Sequence, residues 1–463
     1  MSKQTISNGI KREFELYERC HVNTNQEGDR FVGIKIDTNL DRPMVFFPLG
    51  YDLPKNDSQL RLDIRHLIKV ILEFTSNNER VKSSNKRKNL QDVEFPINAY
   101  KNIIEYYFNI GGKYYVENET YYINASKGKQ NWGKTIKKNM PIIQRKDQKT
   151  SYIYTEYQVR VNRPNAEEYI TQLNRFCVYE AFKRIGWMYV DFMPEKPKLN
   201  PNVNAALSIL QMKISSTNDD QKRVLFQSMK DMLTYIDTGE METNISFGTE
   251  DFEYIWEKLI DRAFGIKNKT DYLPQSRWIL DYGNIQGNHP LIPDTIMLHK
   301  DKCIILDAKC YKYGITGIAM HLPNGSSINK QITYGEYVEK YKSIPEDKIF
   351  NAFVMPYNKN HNTFGLNGFV ENIGEAIGEW RFNKKCYERI QGILMDTRDL
   401  MCKYSNVTND DKENLTNCIY SGINRNTDCK PYDSKYIWPT ASLELVAESE
   451  ESYYTKTLNS EDV

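Results

Sequence analysis

Long apolar runs are missing from this 463-residue sequence. None approaches the roughly 20 residues that span a bilayer. The opening Met1-Ser2-Lys3-Gln4-Thr5 lacks an apolar signal-peptide core. A cytoplasmic protein with no membrane partner is the expectation. Histidine is scarce, six in all, and the eight cysteines at 20, 177, 303, 310, 386, 402, 418 and 429 never form Cys-x-x-Cys. That spacing excludes a zinc-ribbon scaffold and fits reduced thiols. Net charge is nearly absent too: 62 basic residues against 61 acidic leave +1. A passive nucleic-acid coat is thereby disfavoured, although a local basic surface is not. No internal repeat is found.

What the sequence does have is length for a large core and abundant aromatics, 32 of them tyrosine. Helical spacing predicts helices over residues 10–22, 62–74, 96–111 and 165–186, then over 207–212 and 221–236. Phe31–Ile36 and Met44–Phe47 read as a hairpin turning at 39–43, and residues 114–123 as a second hairpin around Asn118-Glu119. Residues 80–89 are polar and read as a mobile loop, and the acidic tail from Glu444 as disordered. The expected division is an α+β N-terminal region (1–165), a helical connection (166–245), an α/β domain (246–440) and the tail (441–463). His66, between apolar residues of a predicted helix, reads as a partly buried structural histidine.

Two apolar stretches, Thr295–His299 and Cys303–Leu306, flank a polar tip at Lys300-Asp301. They predict buried strands joined by a two-residue turn. Such a turn pairs His299 with Lys302, and the same sum of residue numbers sets Asp294 opposite Asp307. Alternation puts Lys309 on the face of Asp307. Two carboxylates so placed suit a hard ion such as Mg²⁺ or Mn²⁺, which can polarise a phosphodiester and acidify a bound water. A lysine there can steady the water or the developing charge. Pro293-Asp294 followed by Asp307-Ala308-Lys309 resembles the PD-(D/E)xK nuclease signature. That resemblance implies a helix glutamate ahead of the hairpin as a third ligand. Thr249–Ile260 predicts the helix, with Phe252, Ile255, Trp256 and Leu259 on one face and Thr249 as N-cap. Glu257 is the candidate, and Glu253, one turn earlier, is the alternative.

Downstream, Lys309-Cys310-Tyr311-Lys312-Tyr313-Gly314 is basic and aromatic, as suits a surface that tracks a nucleic-acid backbone. A loop then feeds a helix carrying Lys330, Gln331, Tyr334 and Tyr337. Together with Phe31-Val32-Gly33-Ile34 and Phe46-Phe47-Pro48-Leu49-Gly50-Tyr51, these segments resemble the LlaJI-type restriction endonuclease family, which is similar to McrC. The resemblance runs from about Arg30 to Asn358. It implies an α/β restriction-endonuclease-like core, a mixed sheet flanked by helices, behind an α+β N-terminal region. It further implies Mg²⁺-dependent cleavage of double-stranded DNA in a prokaryotic cytoplasm by Asp294, Asp307, Lys309 and Glu257. Lys312, Lys330, Gln331 and Tyr334 would then touch DNA. An AAA+ GTPase resembling McrB is the implied partner, and GTP would act only through it. A DNA-binding assembly subunit on a nuclease-like scaffold and a stand-alone repair nuclease are the competing readings.

Gly128-Lys129-Gln130-Asn131-Trp132-Gly133-Lys134-Thr135 satisfies the P-loop expression. The context fails: the preceding strand is polar, Pro141 leaves barely a turn of helix, and Trp132 is bulky for a phosphate cradle. Lys127, Lys129, Asn131, Trp132 and Lys134 are read instead as a partner-docking surface, alongside the 31–47 hairpin.

Overall fold

The computed structural model describes residues 16–37, 42–75, 95–146, 149–237, 246–276, 278–279, 281, 289–381 and 384–424. The loop at 80–89, residues 39–41 of the turn expected at 39–43 and the acidic tail fall outside them; Arg42 and Pro43 of that turn are strand residues, paired with Asp37 and Ile36. The described residues up to Gly422 form one compact unit.

The chain enters through a 3₁₀ turn, Leu16–Arg19, and strand β1 (Cys20–Val22). The helix expected over 10–22 is therefore corrected for its described part. Cys20, His21 and Val22 pair in parallel with Val45, Phe46 and Phe47, and that ladder wins over a weak helical period. β2 (Val32–Asp37) and β3 (Arg42–Phe47) form the expected antiparallel hairpin. Helix α1 (Asp57–Thr75) begins five residues before its expected start at 62, and α2 (Ile97–Asn109) matches its expected span within two residues. His66 is half-buried on α1, its Nδ1 3.7 Å from Cys402 Sγ.

The hairpin expected at Asn118-Glu119 is not one. β4 (Glu117–Ala125) runs straight through both residues. After α3 (Trp132–Lys138), β5 (Ile142–Lys146) and β6 (Lys149–Ile153) pair with each other, and β7 (Tyr157–Asn165) returns along β4. Asn118 faces Pro164 and Glu119 faces Arg163 in an unbroken ladder. Most of β4 is wet, so a polar pair imitates a turn without making one. Helices α4 (Tyr169–Ile185), α5 (Val203–Ser216) and α6 (Asp220–Asp237) follow as expected.

β8 (Ser246–Thr249) joins the N-terminal hairpin and completes a four-stranded sheet of order β1-β3-β2-β8. Gly33 and Gly248 face each other there. A Cβ on Gly33 would stand 2.2 Å from the Phe247 carbonyl oxygen, so only glycine permits this approach. Thr249 is thus a strand residue, which corrects its assignment as N-cap. Its Oγ1 accepts the Asp251 N–H at 2.9 Å, and α7 (Phe252–Phe264) starts after Asp251.

A short ribbon, β9 (Gln275–Ser276) with β10 (His289–Pro290), precedes the main sheet. β11 (Thr295–His299) and β12 (Lys302–Ala308) make the predicted hairpin, its tip at Lys300 in the left-handed region. Helices α8 (Tyr313–Thr316) and α9 (Gly325–Lys342) come next, followed by β13 (Ile349–Tyr357), β14 (Val370–Ile377) and β15 (Arg389–Asp396). Sheet order is β11-β12-β13-β15-β14, with β12, β13 and β15 parallel and the two edge strands antiparallel. Every residue of β13 is buried, as a central strand covered on both faces requires. α9 covers one face: Tyr334 and Val338 pack with Ile296, Cys303, Ile305, Ile349 and Tyr387. This is the expected restriction-endonuclease-like core, a mixed sheet flanked by helices.

β15 turns directly into α10 (Thr397–Lys403), and α11 (Asn409–Asn424) follows it. Reciprocal bonds between Thr408 and Asp411 start this extra helix, and Leu415 and Ile419 bury its inner face. No helix among the described residues is long and apolar enough to cross a membrane.

Candidate active site

The register of β11 and β12 holds one sum throughout, from Thr295 opposite Leu306 to His299 opposite Lys302. Asp294 stands one residue before β11, at the open end of the hairpin. Its Oδ2 accepts the Ala308 N–H at 2.9 Å, which fixes the carboxylate beside the end of β12. Its own carbonyl is held by the Lys269 ammonium. Asp307 is 2% exposed, and its Oδ2 stands 2.9 Å from Lys309 Nζ. Lys309 leaves the strand with its N–H donating to the Val354 carbonyl at 2.9 Å. The same carbonyl accepts Trp256 Nε1–H at 3.2 Å. One oxygen of the central strand therefore locks both α7 and the segment carrying Lys309.

Glu257 follows Trp256 on α7 and is half-buried. Burial, and then the charge of Asp294, push its carboxyl up to about 7 from an ordinary 4.5, against the pull of Lys309 and Lys258. Burial, and then Asp307, push Asp294 up to about 6 from 3.8, although the Ala308 N–H, Lys309 and Lys330 favour its charged form. Burial alone would lower Lys309, but Asp307 and then Asp294 outweigh it and raise the ammonium above its ordinary value. Glu253, the alternative, is exposed and lines a small cleft with Asn25, Arg30 and Cys310. Glu257 is the one whose charge couples to the two aspartates.

The structure thus gathers Asp294, Asp307, Lys309 and Glu257 at one point. Lys330 joins them electrostatically from α9. Gln331 and Tyr334 require a correction. Each is 1% exposed, so neither offers a surface to a duplex. They lie on the face of α9 that meets the sheet. Both amide atoms of Gln331 and the Tyr334 hydroxyl lack a hydrogen-bond partner among the described residues, and Tyr334 feels the charges of Asp294 and Asp307. Gln331 is tied to the central strand instead, its carbonyl accepting Asn351 Nδ2–H at 2.8 Å. Lys312 opens α8, half-buried, three positions past Lys309.

Lys269 and Trp256 are positioning residues that sequence reasoning missed. Lys269 bridges Asp261, at 3.3 Å, to the backbone of Asp294 from a loop without any motif. Trp256 was legible only as an apolar helix residue.

Could the residues here hold a divalent ion? Among the described residues no three His, Cys, Asp or Glu side chains form a ready-made cage. Magnesium keeps several waters and takes only one or two carboxylates from protein. Asp294 and Asp307 supply that number, and their mutual repulsion in a half-buried place is what a cation relieves. The donor set fits.

The proposed docking residues lie elsewhere, in the β4–β7 module. Lys127 and Lys129 are exposed. Asn131 caps α3, its Oδ1 accepting the Lys134 N–H at 3.0 Å. Trp132 is 51% exposed and stands edge-on to Tyr157. Lys134 Nζ sits 3.3 Å from the centre of the Tyr122 ring. α3 is longer than the single turn expected, but the helix end a phosphate would need is occupied by Asn131.

No curated protein matches the chain. Among solved structures it is similar to a half-complex of Thermococcus gammatolerans McrB AAA+ hexamers with bound McrC. That likeness has 12% identity over 84% of this chain and 83% of the other, at a TM-score of 0.34. The profile of the LlaJI restriction endonuclease family matches residues 31–372, well over half of the sequence, and the chain belongs to that family.

Proposed function

We propose that this chain is the DNA-cleaving subunit of its restriction system, an endonuclease of PD-(D/E)xK type that uses Mg²⁺ or Mn²⁺. The observation that carries the reading is the meeting of Asp294, Asp307, Glu257 and Lys309 at the mouth of the β11–β12 hairpin. Asp294 and Asp307 would hold the ion, with Glu257 as a further ligand or water acceptor. When bound, the ion supplies Lewis-acid polarisation of the scissile phosphate and a more acidic water. The chain's own groups do the rest. Glu257, poised near neutrality, accepts the proton of the attacking water. Lys309 keeps its ammonium against Asp307 and faces the charge that grows on phosphate oxygens. Lys330 draws the DNA backbone toward the carboxylates, and Lys312 does so from the start of α8. Tyr334, close enough to feel Asp294 and Asp307, bounds the site on the α9 side.

The partner in this reading is an AAA+ GTPase, and GTP is used by that partner alone. Support comes from the P-loop-like segment, whose lysine is committed to Tyr122 and whose helix is capped by Asn131. Docking is assigned to the same module. Trp132, Ile136, Met140, Ile142, Ile143, Tyr152 and Ile153 are each at least 43% exposed there, beside Lys127, Lys129 and Arg145. Clusters of exposed apolar side chains with a basic rim mark protein-binding surfaces.

The test is cleavage of plasmid DNA with Mg²⁺, with and without the motor subunit and GTP. Asp294→Ala and Lys309→Ala should each lower cleavage about a hundred- to a thousand-fold, the range for removing one preorganised charge from a phosphoryl-transfer site. Both should leave folding and partner binding intact. Cutting at the parent's rate by either variant refutes the site, and cutting of branched DNA without motor or GTP favours a stand-alone repair nuclease.

A further inference from the structure

We infer that the exposed tip at 317–320, between β12 and α9, is an apolar probe that enters a groove of duplex DNA, with Met320 as its contact residue. The choice of DNA as occupant rests on the nuclease reading above. Met320 is 86% exposed, and Ile318 beside it 53%. The tip that presents them is firmly built. Gly317 turns the chain in the left-handed region, its N–H donating to the Tyr313 carbonyl at 2.8 Å. Ala319–His321 forms a 3₁₀ turn, and His321 Nδ1 stands 2.8 Å from Thr316 Oγ1. On either side of the tip, Tyr313 and Leu322 pack against Met355, Tyr357 and Leu394. Two apolar side chains are thus held out in water by a frame that could as well carry polar ones.

Strand register places the tip beside the carboxylates. Asp307 pairs with Phe353, and Met355 and Tyr357 lie two and four residues further along β13. Alternation sets Asp307 on the face of Ile305, and Phe353, Met355 and Tyr357 on that of Ile349. Ile305 and Ile349 both pack against α9, so all of these share one face. The tip is therefore anchored on the carboxylates' own face, about 7–13 Å from Asp307 along the strand, or about two to four base-pair steps. Charge says what covers it. In a chain with 61 acidic residues, the stretch 309–335 holds none, and it carries Lys309, Lys312 and Lys330. Residues 349–370 hold none either, and their Phe364 ring meets Tyr313 at 5.5 Å. Of the acids that approach from elsewhere, Asp52 is bound by Asn360 and His361, and Asp399 by Lys359. A surface cleared of free acids beside a carboxylate site suits a polyanion. An apolar pair standing out of it suits the sugar and base edges of a groove, where DNA-binding proteins insert Ile and Met. The acidic face of a protein would answer the lysines too, but the shared face with Asp307 sets the tip along the path of a duplex cut there.

The experiment uses the full chain, a random-sequence duplex oligonucleotide and Ca²⁺ in place of Mg²⁺ to suppress cutting. Met320→Ala should weaken duplex binding about 5- to 50-fold, and Met320→Leu, which keeps the apolar bulk, should stay within about threefold of the parent. The melting temperature should be the same in all three, because Met320 belongs to no core. The slope of log affinity against log salt should also be shared, because no cation is removed. Equal affinities for parent and Met320→Ala overturn the probe, as does a Leu variant no better than Ala. DNA binding at the parent's level by Met320→Ala, with loss of the motor subunit, would assign the tip to a protein and overturn it equally. Cleavage plays no part in these readouts, so a chain that binds through Met320 but never cuts would sink the nuclease reading alone.

Discussion

Glu257 and Asp294 are carboxyls held away from the state they prefer in water. Burial comes first, then a neighbouring aspartate, and together they push Glu257 up to about 7 and Asp294 up to about 6. Their folded values lie above the unfolded ones of 4.5 and 3.8. The folded chain therefore binds more protons between about pH 4 and pH 7, and linkage makes stability fall as pH rises through that window. A divalent ion reverses the sign by favouring the charged forms. The metal-free protein should melt at a higher temperature near pH 5 than near pH 8, and added Mg²⁺ should raise the melting temperature only at the higher pH. Asp294→Asn should stabilise the metal-free protein by about 1–3 kcal/mol near pH 8, since an unrelieved buried charge is removed, while lowering cleavage about a hundred- to a thousand-fold. Calorimetric scans at both pH values check this; equal melting temperatures for parent and variant near pH 8 would mean that Asp294 carries no such strain. At this scale the sequence was informative about identity and silent about environment. Asp294, Asp307 and Lys309 could be aligned by counting residues along a hairpin. The burial of Gln331 and Tyr334 could not, because a polar residue on a helix advertises solvent whichever face it occupies.

At the scale of elements, the hairpin and α9 hold the site between them, and they differ in how they reveal themselves. The hairpin announces itself by two apolar runs around Lys300-Asp301, and its register follows from turn length alone. The β4–β7 pairing was illegible because its partners lie far apart in sequence and neither strand buries a continuous face. α9 was legible as a helix, yet its closeness to the sheet depends on Gly335, which sequence alone leaves unremarked. A Cβ there would stand 2.4 to 2.7 Å from the Tyr387 ring and its Cβ, inside contact distance of a buried side chain in the same cluster as Tyr334. Gly335→Ala must therefore lift α9 or displace Tyr387, at a cost of about 1–3 kcal/mol, despite alanine's better helix propensity. Because Lys330, Gln331 and Tyr334 ride on the same helix, cleavage should fall in conditions where the variant is still fully folded. Urea unfolding beside a cleavage assay separates the two effects, and a variant as stable and active as the parent would show that α9 has slack to yield.

On the scale of the whole molecule, the proposed function assigns cleavage and docking to two separate surfaces. The carboxylate site sits at one end of a central sheet. The β4–β7 module carries a concentration of exposed apolar side chains, with Met140 97% and Ile136 62% exposed. Such a surface costs solubility unless it is covered, which is why the proposed function assigns docking to it. The β5–β6 hairpin supplies Ile142, Ile143, Tyr152 and Ile153, all outside the segment that the P-loop expression had singled out. Ile142→Glu with Ile143→Glu should abolish assembly with the motor subunit and motor-dependent cleavage, with no loss in melting temperature, because neither side chain is part of a core. Lys134→Ala is the counterpart. If the segment were a nucleotide site, that change would remove the phosphate-gripping ammonium and end hydrolysis by the complex. Since Lys134 instead lies on Tyr122, hydrolysis per assembled complex should be unchanged, while the amount assembled falls with the loss of a cation–π contact of about 0.5–2 kcal/mol. Measuring GTP turnover against the mass of complex recovered by gel filtration decides between them. Turnover that collapses while assembly persists would restore the nucleotide reading and remove the docking one.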